Sequence, residues 1–163
     1  MKPFFRDFLP SPKNSRLLVP GVGNDGTLLD LHEFGYSNIT AYDYSSSAID
    51  RQSELLSYSS QASADITLLV RDARNLDEAW TGTYDVIFEK GALDAIYLSG
   101  EGYVDLAVKE MKRCLKVGGY VMSVSGVLPE DHRRNIFPVR DWEWVRDGTD
   151  DLKAGCFILR RKR

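Results

Sequence analysis

Apolar residues fall in short unbroken runs separated by stretches of helical periodicity. Leu17-Leu18-Val19, Ile39-Thr40-Ala41-Tyr42, Ile66–Val70, Val86-Ile87-Phe88 and Tyr120–Val124 are such runs, each bounded by turn residues. Runs of this length read as buried strands. Strands are expected at Arg16–Val19, Asn38–Tyr42, Ile66–Val70, Tyr84–Phe88 and Tyr120–Val124. Between them the period lengthens. Asp25–Phe34 turns Leu28, Leu29 and Leu31 inward and stops at Gly35, a residue suited to a helix C-terminus. Ser45–Ser47 can cap a helix at Ala48–Tyr58, with Ile49, Leu55 and Leu56 inward. Gly102–Leu115 is amphipathic, through Val104, Leu106, Ala107, Met111 and Leu115.

Other segments are less regular. Ser57–Ser63 reads as a loop, Lys116–Gly119 as a turn into the fifth strand, and 126–140 as irregular or weakly helical. Two last strands are expected at Trp142–Val145 and Gly155–Leu159. Their short link suits a hairpin, not a helical crossover. Alternation in Trp142-Glu143-Trp144-Val145 assigns the tryptophans to core packing first, with an aromatic substrate wall, together with Phe137, as the second reading. The fold class is therefore α/β: a seven-stranded, mostly parallel sheet with an antiparallel C-terminal strand and helices on both faces. One domain is expected over residues 1–163, with 1–15 a short N-terminal segment holding Phe4, Phe5 and Phe8.

Composition narrows the function classes. The chain is 43% hydrophobic and 28% charged, with a net charge of −3. That balance gives no general attraction to nucleic acid. The basic tail Arg160-Arg161-Lys162-Arg163 reads as a solvated chain end before a phosphate patch. No apolar run approaches the roughly 20 residues of a membrane span, and Met1 to Pro12 lacks the pattern of a secretory signal. Cys114 and Cys156 have no metal-ligand spacing and read as small core residues. No metal is expected, and a reducing cytoplasmic compartment fits best.

Chemistry gathers at the strand ends. Gly21-Val22-Gly23-Asn24 follows the first strand, Asp43 the second, Asp72 the third and Glu89-Lys90 the fourth. In a parallel sheet, ligands bind beyond these carboxyl ends. Glycines let the backbone turn and approach a ligand closely, and free N–H groups at the start of the next helix favour an anion. Asp43 can accept two hydrogen bonds from a ribose diol, and Asp72 can accept from an exocyclic amine. The bland alternatives are turn or cap roles for both aspartates. Gly21–Gly26 also matches the dinucleotide pattern G-x-G-x-x-G, a weak signal alone. A nicotinamide enzyme is disfavoured, because no second domain and no acid–base pair with a histidine stand out. His32 reads as a surface residue. His132, within Glu130–Arg134, reads as part of a solvated charge cluster, with a substrate contact as the alternative.

The order of these pieces resembles class I S-adenosylmethionine-dependent methyltransferases, whose sheet is Rossmann-like. Within that class, Leu18–Asn24, Asn38–Tyr44 and above all Phe88-Glu89-Lys90-Gly91-Ala92-Leu93-Asp94-Ala95 are similar to the methyltransferase-like family that includes lysine methyltransferases of elongation factor 1A. The resemblance covers residues 16–125, and Leu115–Gly119 is typical of the wider class. It implies S-adenosyl-L-methionine as cofactor. Gly21, Gly23 and Asn24 would lie along its methionine part. Asp43 would hold the ribose hydroxyls, with Tyr44 beside the adenine and Asp72 and Ala73 at the adenine edge. Glu89 and Lys90 would border the methyl-transfer mouth. Lys90 and Asp94 are the candidate catalytic residues, a structural ion pair and a helix cap being their alternatives. The family glycine run commonly reads Gly-Cys-Gly-Asn-Ser, so Asp25 places an extra negative charge beside the turn. A protein lysine is the implied acceptor. A small-molecule methyltransferase and a cofactor-binding scaffold without turnover stay open.

Overall fold

In the computed structural model, residues 6–100, 102–151 and 154–163 are described; Phe4 and Phe5 lie outside them. The apolar runs become β1 (Leu17–Pro20), β2 (Ile39–Asp43), β3 (Ile66–Val70), β4 (Tyr84–Lys90), β5 (Leu115–Ser125), β6 (Trp142–Arg146) and β7 (Gly155–Arg161). They form one sheet in the order β3-β2-β1-β4-β5-β7-β6. Strands β1 to β5 are parallel. The hairpin expected of the last two strands is present, and β7 inserts antiparallel between β5 and β6.

The helices are α1 (Thr27–Phe34), α2 (Ser46–Leu56), α3 (Ser60–Asp65), α4 (Ala92–Ser99), α5 (Tyr103–Cys114) and α6 (Glu130–Ile136). Two apolar cores follow, one on each face. Leu28, Leu31, Ile49, Leu56 and Ala62 pack α1, α2 and α3 on one face. Leu93, Val104, Ala107, Met111 and Ile136 pack α4, α5 and α6 on the other. Crossovers thus leave β1 and β4 toward opposite faces, and a crevice opens between their carboxyl ends.

Local chemistry sets the helix ends. Gly35 closes α1 in the left-handed conformation, φ 118°, as its position in the sequence implies. The Ser45 hydroxyl accepts the Ala48 N–H at the start of α2.

Several sequence expectations are corrected. Ser57–Ser63 is not all loop: Ser57 ends α2, and Ser59 accepts the Ala62 N–H and starts α3, so two of its serines serve as caps. Lys116–Gly119 is not a turn between elements but a bulge within β5. Tyr84 pairs with Leu115 and Val86 with Tyr120, and Gly118, at φ +79°, lets the strand absorb the extra residues. Leu106 is exposed, and Val108 takes the buried position instead. The 126–140 segment holds a regular helix, α6. Trp142 and Phe137 are buried edge to face, ring centroids 5.2 Å apart, which fits the core-packing reading. No helix among the described residues is long and apolar enough to cross a membrane.

Candidate functional site

The crevice is a cleft of about 650 Å³ at the carboxyl ends of β1, β2 and β4 and the loop after β3, within the size range of ligand sites. Of the sequence-named residues, Gly21, Gly23, Asp43, Tyr44, Asp72, Ala73 and Lys90 line it together. Asn24 is exposed on the glycine turn. Glu89 and Asp94 are buried and do not line the cleft.

The glycine turn is held by contacts from three directions. Val22 N–H donates to the Tyr42 carbonyl at 3.1 Å. Gly23 N–H donates to Asp43 Oδ2 at 3.0 Å, and Asp43 Oδ1 accepts the Ser45 N–H at 3.0 Å. Gln52, buried on α2, donates to the Gly23 carbonyl at 3.0 Å and the Asp25 carbonyl at 2.9 Å. Two N–H groups of the turn and helix start are therefore taken: Gly23 by Asp43, and Thr27 by Asp25 at 2.9 Å.

Gly21 and Gly23 have different reasons to be glycine. Both have positive φ, +57° and +62°. A Cβ at Gly21 would lie 2.6 Å from the Ala92 Cβ, so this glycine lets α4 pack against the turn. A Cβ at Gly23 would meet nothing within 4 Å. Gly91, at φ +76°, likewise faces open space. Gly23 and Gly91 therefore form a cradle that side chains would partly fill, which is what close approach of a ligand to backbone requires.

Charge is distributed along the cleft. Lys90 forms an ion pair with Asp25. Burial pushes the Asp25 carboxyl up, but hydrogen bonds from Lys90 and Thr27 outweigh it and leave the group below its ordinary value. The extra charge noted at Asp25 is thus balanced within the fold. Arg74 holds Asp72 through its Nε at 2.9 and 3.1 Å, its Nη2 at 2.6 Å and its backbone N–H at 2.9 Å; these bonds hold the Asp72 carboxyl low. The Arg74 guanidinium sits 4.5 Å from the Tyr103 ring centroid, and both residues line the cleft.

Buried polar residues at the ends of β4 and β5 and on α4 and α6 lie close together. Glu89, fully buried, accepts from the Ser123 hydroxyl and from the Leu93 N–H at 3.2 Å. Burial pushes its carboxyl up to about 7 against those hydrogen bonds. Asp94 accepts from the Ser125 hydroxyl and from Gly126, Val127 and Leu128 N–H at 2.9 to 3.2 Å. Arg133 donates to Ser125 Oγ and the Leu128 carbonyl, and its guanidinium lies 3.8 Å from the Phe157 ring centroid. The Glu130–Arg134 segment is therefore not simply a solvated cluster, because Arg133 is 4% exposed. His132 is partly buried, against Tyr97 and 3.4 Å from Asp105. His32 is not a bare surface residue either: it pairs with Asp65 at 2.9 Å.

Sequence reasoning missed Gln52, Arg74, Tyr103 and the α4 face of Ala92, Ala95, Ile96 and Ser99. The last had a usable signal, since these positions recur at helical spacing directly after Gly91.

This sheet order, with a glycine turn after β1 and a carboxylate at the end of β2 at the switch point, defines an α/β protein that binds a nucleoside-bearing cofactor. The methyltransferase domain family matches residues 20–121; the chain belongs to that family, and its cofactor is S-adenosylmethionine. Over 117 residues it is 34% identical to EEF1A lysine methyltransferase 2 of Homo sapiens, covering 70% of this chain and 48% of that protein. Over 148 residues it is 33% identical to the Mus musculus protein of the same name, covering 91% of this chain and 54% of that one. The chain spans about half the length of these curated relatives. Among solved structures, a SAM-dependent methyltransferase of Methanosarcina mazei superposes with a TM-score of 0.80 over 98% of this chain and 97% of that one. At 16% identity that match establishes the fold.

Proposed function

We propose that this chain transfers a methyl group from S-adenosylmethionine to a lysine side chain of a protein. The observation that carries this reading is the similarity to EEF1A lysine methyltransferase 2 across 91% of the chain, in a fold whose cleft gathers seven of the residues expected at a cofactor. Under this reading residues 1–163 act as a single domain, the partner is a protein substrate, and the compartment is cytoplasmic. Free, buried Cys114 and Cys156 support a reducing environment.

Bound S-adenosylmethionine supplies a sulfonium-linked methyl group that an amine can take by in-line displacement. The chain's own work is then positioning. Asp43 would receive the ribose hydroxyls on lone pairs not used by Gly23 and Ser45. Tyr44, 84% exposed at the rim, offers an aromatic face to the base. Asp72 and Ala73 would meet the base edge. Gly21, Gly23 and Asn24 give the methionine part a backbone surface. Lys90 borders the mouth, and buried Glu89 ties the end of β4 to Ser123 on β5 and to the Leu93 N–H at the start of α4. Alignment of this kind contributes up to about 7–11 kcal/mol in ideal cases, so a lysine that sheds its proton beforehand needs no dedicated base. Asp94 is a positioning residue: its carboxylate gathers three backbone N–H groups and fixes the 126–128 segment after β5.

Two measurements test the reading. At 100 times the dissociation constant, S-adenosylmethionine should stabilise the fold by about 2.7 kcal/mol, a rise of roughly 5–11 °C for a domain of this size. A shift with NAD and none with S-adenosylmethionine or S-adenosylhomocysteine would overturn it. Labelled methyl groups should enter protein in a lysate and be lost when lysines are blocked beforehand. Incorporation only into small molecules would redirect the acceptor, and cofactor binding without incorporation would mark a scaffold.

A further inference from the structure

The Lys90–Asp25 ion pair stands at one end of the row of strand tips. The order β3-β2-β1-β4 spreads the tips over three strand spacings, about 14 Å. Asp72 and Ala73 lie at the β3 end, Asp43 at β2, the glycine turn at β1, and Lys90 at β4. A nucleoside held at the β2–β3 end directs the amino-acid end of the same cofactor toward β1 and β4. That end is a zwitterion, with one α-carboxylate and one α-ammonium.

Two of the turn's backbone donors are already engaged within the fold. The N–H groups of Gly23 and Thr27 are already donated to Asp43 and Asp25. Lys90, by contrast, lines the cleft beside the open space at Gly23 and Gly91. Its side chain is 37% exposed and that of Asp25 45% exposed. Pairs this open to water hold together weakly, and either member can exchange its partner for an equivalent charge. Asp25 is also fixed in place, since its Oδ1 accepts the Thr27 N–H while the other oxygen faces Lys90.

We infer that Lys90 and Asp25 together recognise the zwitterionic end of the cofactor, Lys90 taking the α-carboxylate and Asp25 the α-ammonium. One pair of opposite charges meets another, so binding leaves no charge uncompensated. Asp25, which departs from the serine common in the similar family, then attracts the cofactor and does not repel it. The inference rests on the S-adenosylmethionine reading of the cleft.

The test compares two ligands by calorimetry: S-adenosylhomocysteine, which carries the amino-acid end, and 5′-methylthioadenosine, which lacks it. Asp25→Asn keeps an oxygen for the Thr27 N–H, and Lys90→Met keeps an apolar stem of similar length. Each should weaken S-adenosylhomocysteine at least fivefold and leave 5′-methylthioadenosine within twofold of the unmodified protein. Equal losses for both ligands would mean that the substitutions disturb the turn as a whole, and would overturn the inference. So would unchanged affinity for both, or a gain for Asp25→Asn, the result expected if its charge opposed the cofactor. Failure of the unmodified protein to bind either ligand would instead overturn the cofactor reading beneath it.

Discussion

The Asp43 carboxylate reaches back to the Gly23 N–H at 3.0 Å, joining the end of β2 to the turn after β1 across 20 residues of chain. One side chain thus shapes the glycine turn and presents itself to the cleft. An ionised carboxylate has about four acceptor positions, and the Gly23 and Ser45 N–H groups use two of them. The others remain for a ribose diol. Asp43→Ala should weaken S-adenosylhomocysteine binding at least about tenfold, equivalent to 1.4 kcal/mol, as read by calorimetry. Unchanged affinity would remove Asp43 from cofactor recognition.

Asp72 presents the opposite case. Arg74 supplies four hydrogen bonds to its two oxygens, which fills a carboxylate's usual capacity. Its first role is to fix the turn after β3. Asp72→Ala should therefore weaken the cofactor less than Asp43→Ala, by about threefold, roughly 0.6 kcal/mol on the scale where tenfold is 1.4. A loss as large as that at Asp43 would show that Arg74 swings away on binding and frees the carboxylate for the base.

The two turn glycines should fail in different assays. Gly21→Ala forces a methyl group to within 2.6 Å of the Ala92 Cβ, and overpacking of this kind costs about 1–3 kcal/mol. Left-handed backbone adds roughly 1–2 kcal/mol. Thermal unfolding should report most of that loss. Gly23→Ala carries only the backbone cost, because its Cβ points into open space. Its larger effect should be on cofactor affinity. If Gly23→Ala bound S-adenosylhomocysteine as tightly as the unmodified protein, the open space at that position would not be ligand space.

The sheet and half of the cleft were legible in the sequence for a physical reason. Buried parallel strands need consecutive apolar residues, and a backbone that turns tightly beside a ligand needs glycine. Leu17–Val19, Gly21, Gly23 and Asp43 carry those requirements openly. Gln52 carries none. A glutamine on an amphipathic helix reads as surface, and only folding brings it under the glycine turn to meet two carbonyls. Arg133 misleads in the same way: a charge run reads as solvated, yet the α6 axis turns one guanidinium inward onto Phe157. The α3 helix and the β5 bulge were obscured because small serines and paired glycines serve caps, bulges and loops equally well.

Glu89 should leave a signature in the pH dependence of stability. In the unfolded chain its carboxyl titrates near 4.5, whereas burial raises it to about 7 in the fold. Between these values the folded state holds a proton that the unfolded state has released, so stability falls as pH rises. The contribution is full below about pH 4.5, declines toward pH 7, and is absent above it. A shift of this size corresponds to something on the order of 3 kcal/mol. Carboxylates held low, such as Asp25, Asp72 and Asp94, act in the opposite direction and only at the acid end, as pH falls through their depressed values. Comparison with Glu89→Gln isolates the buried group, because the amide can accept from Leu93 N–H and donate to the Ser123 hydroxyl without titrating. Urea unfolding at pH 5 and pH 8 should show the unmodified protein losing a few kcal/mol relative to Glu89→Gln over that interval. A constant difference would mean that Glu89 is already ionised at pH 5 and that the Ser123, Leu93 and Arg133 surroundings solvate its charge as well as water does.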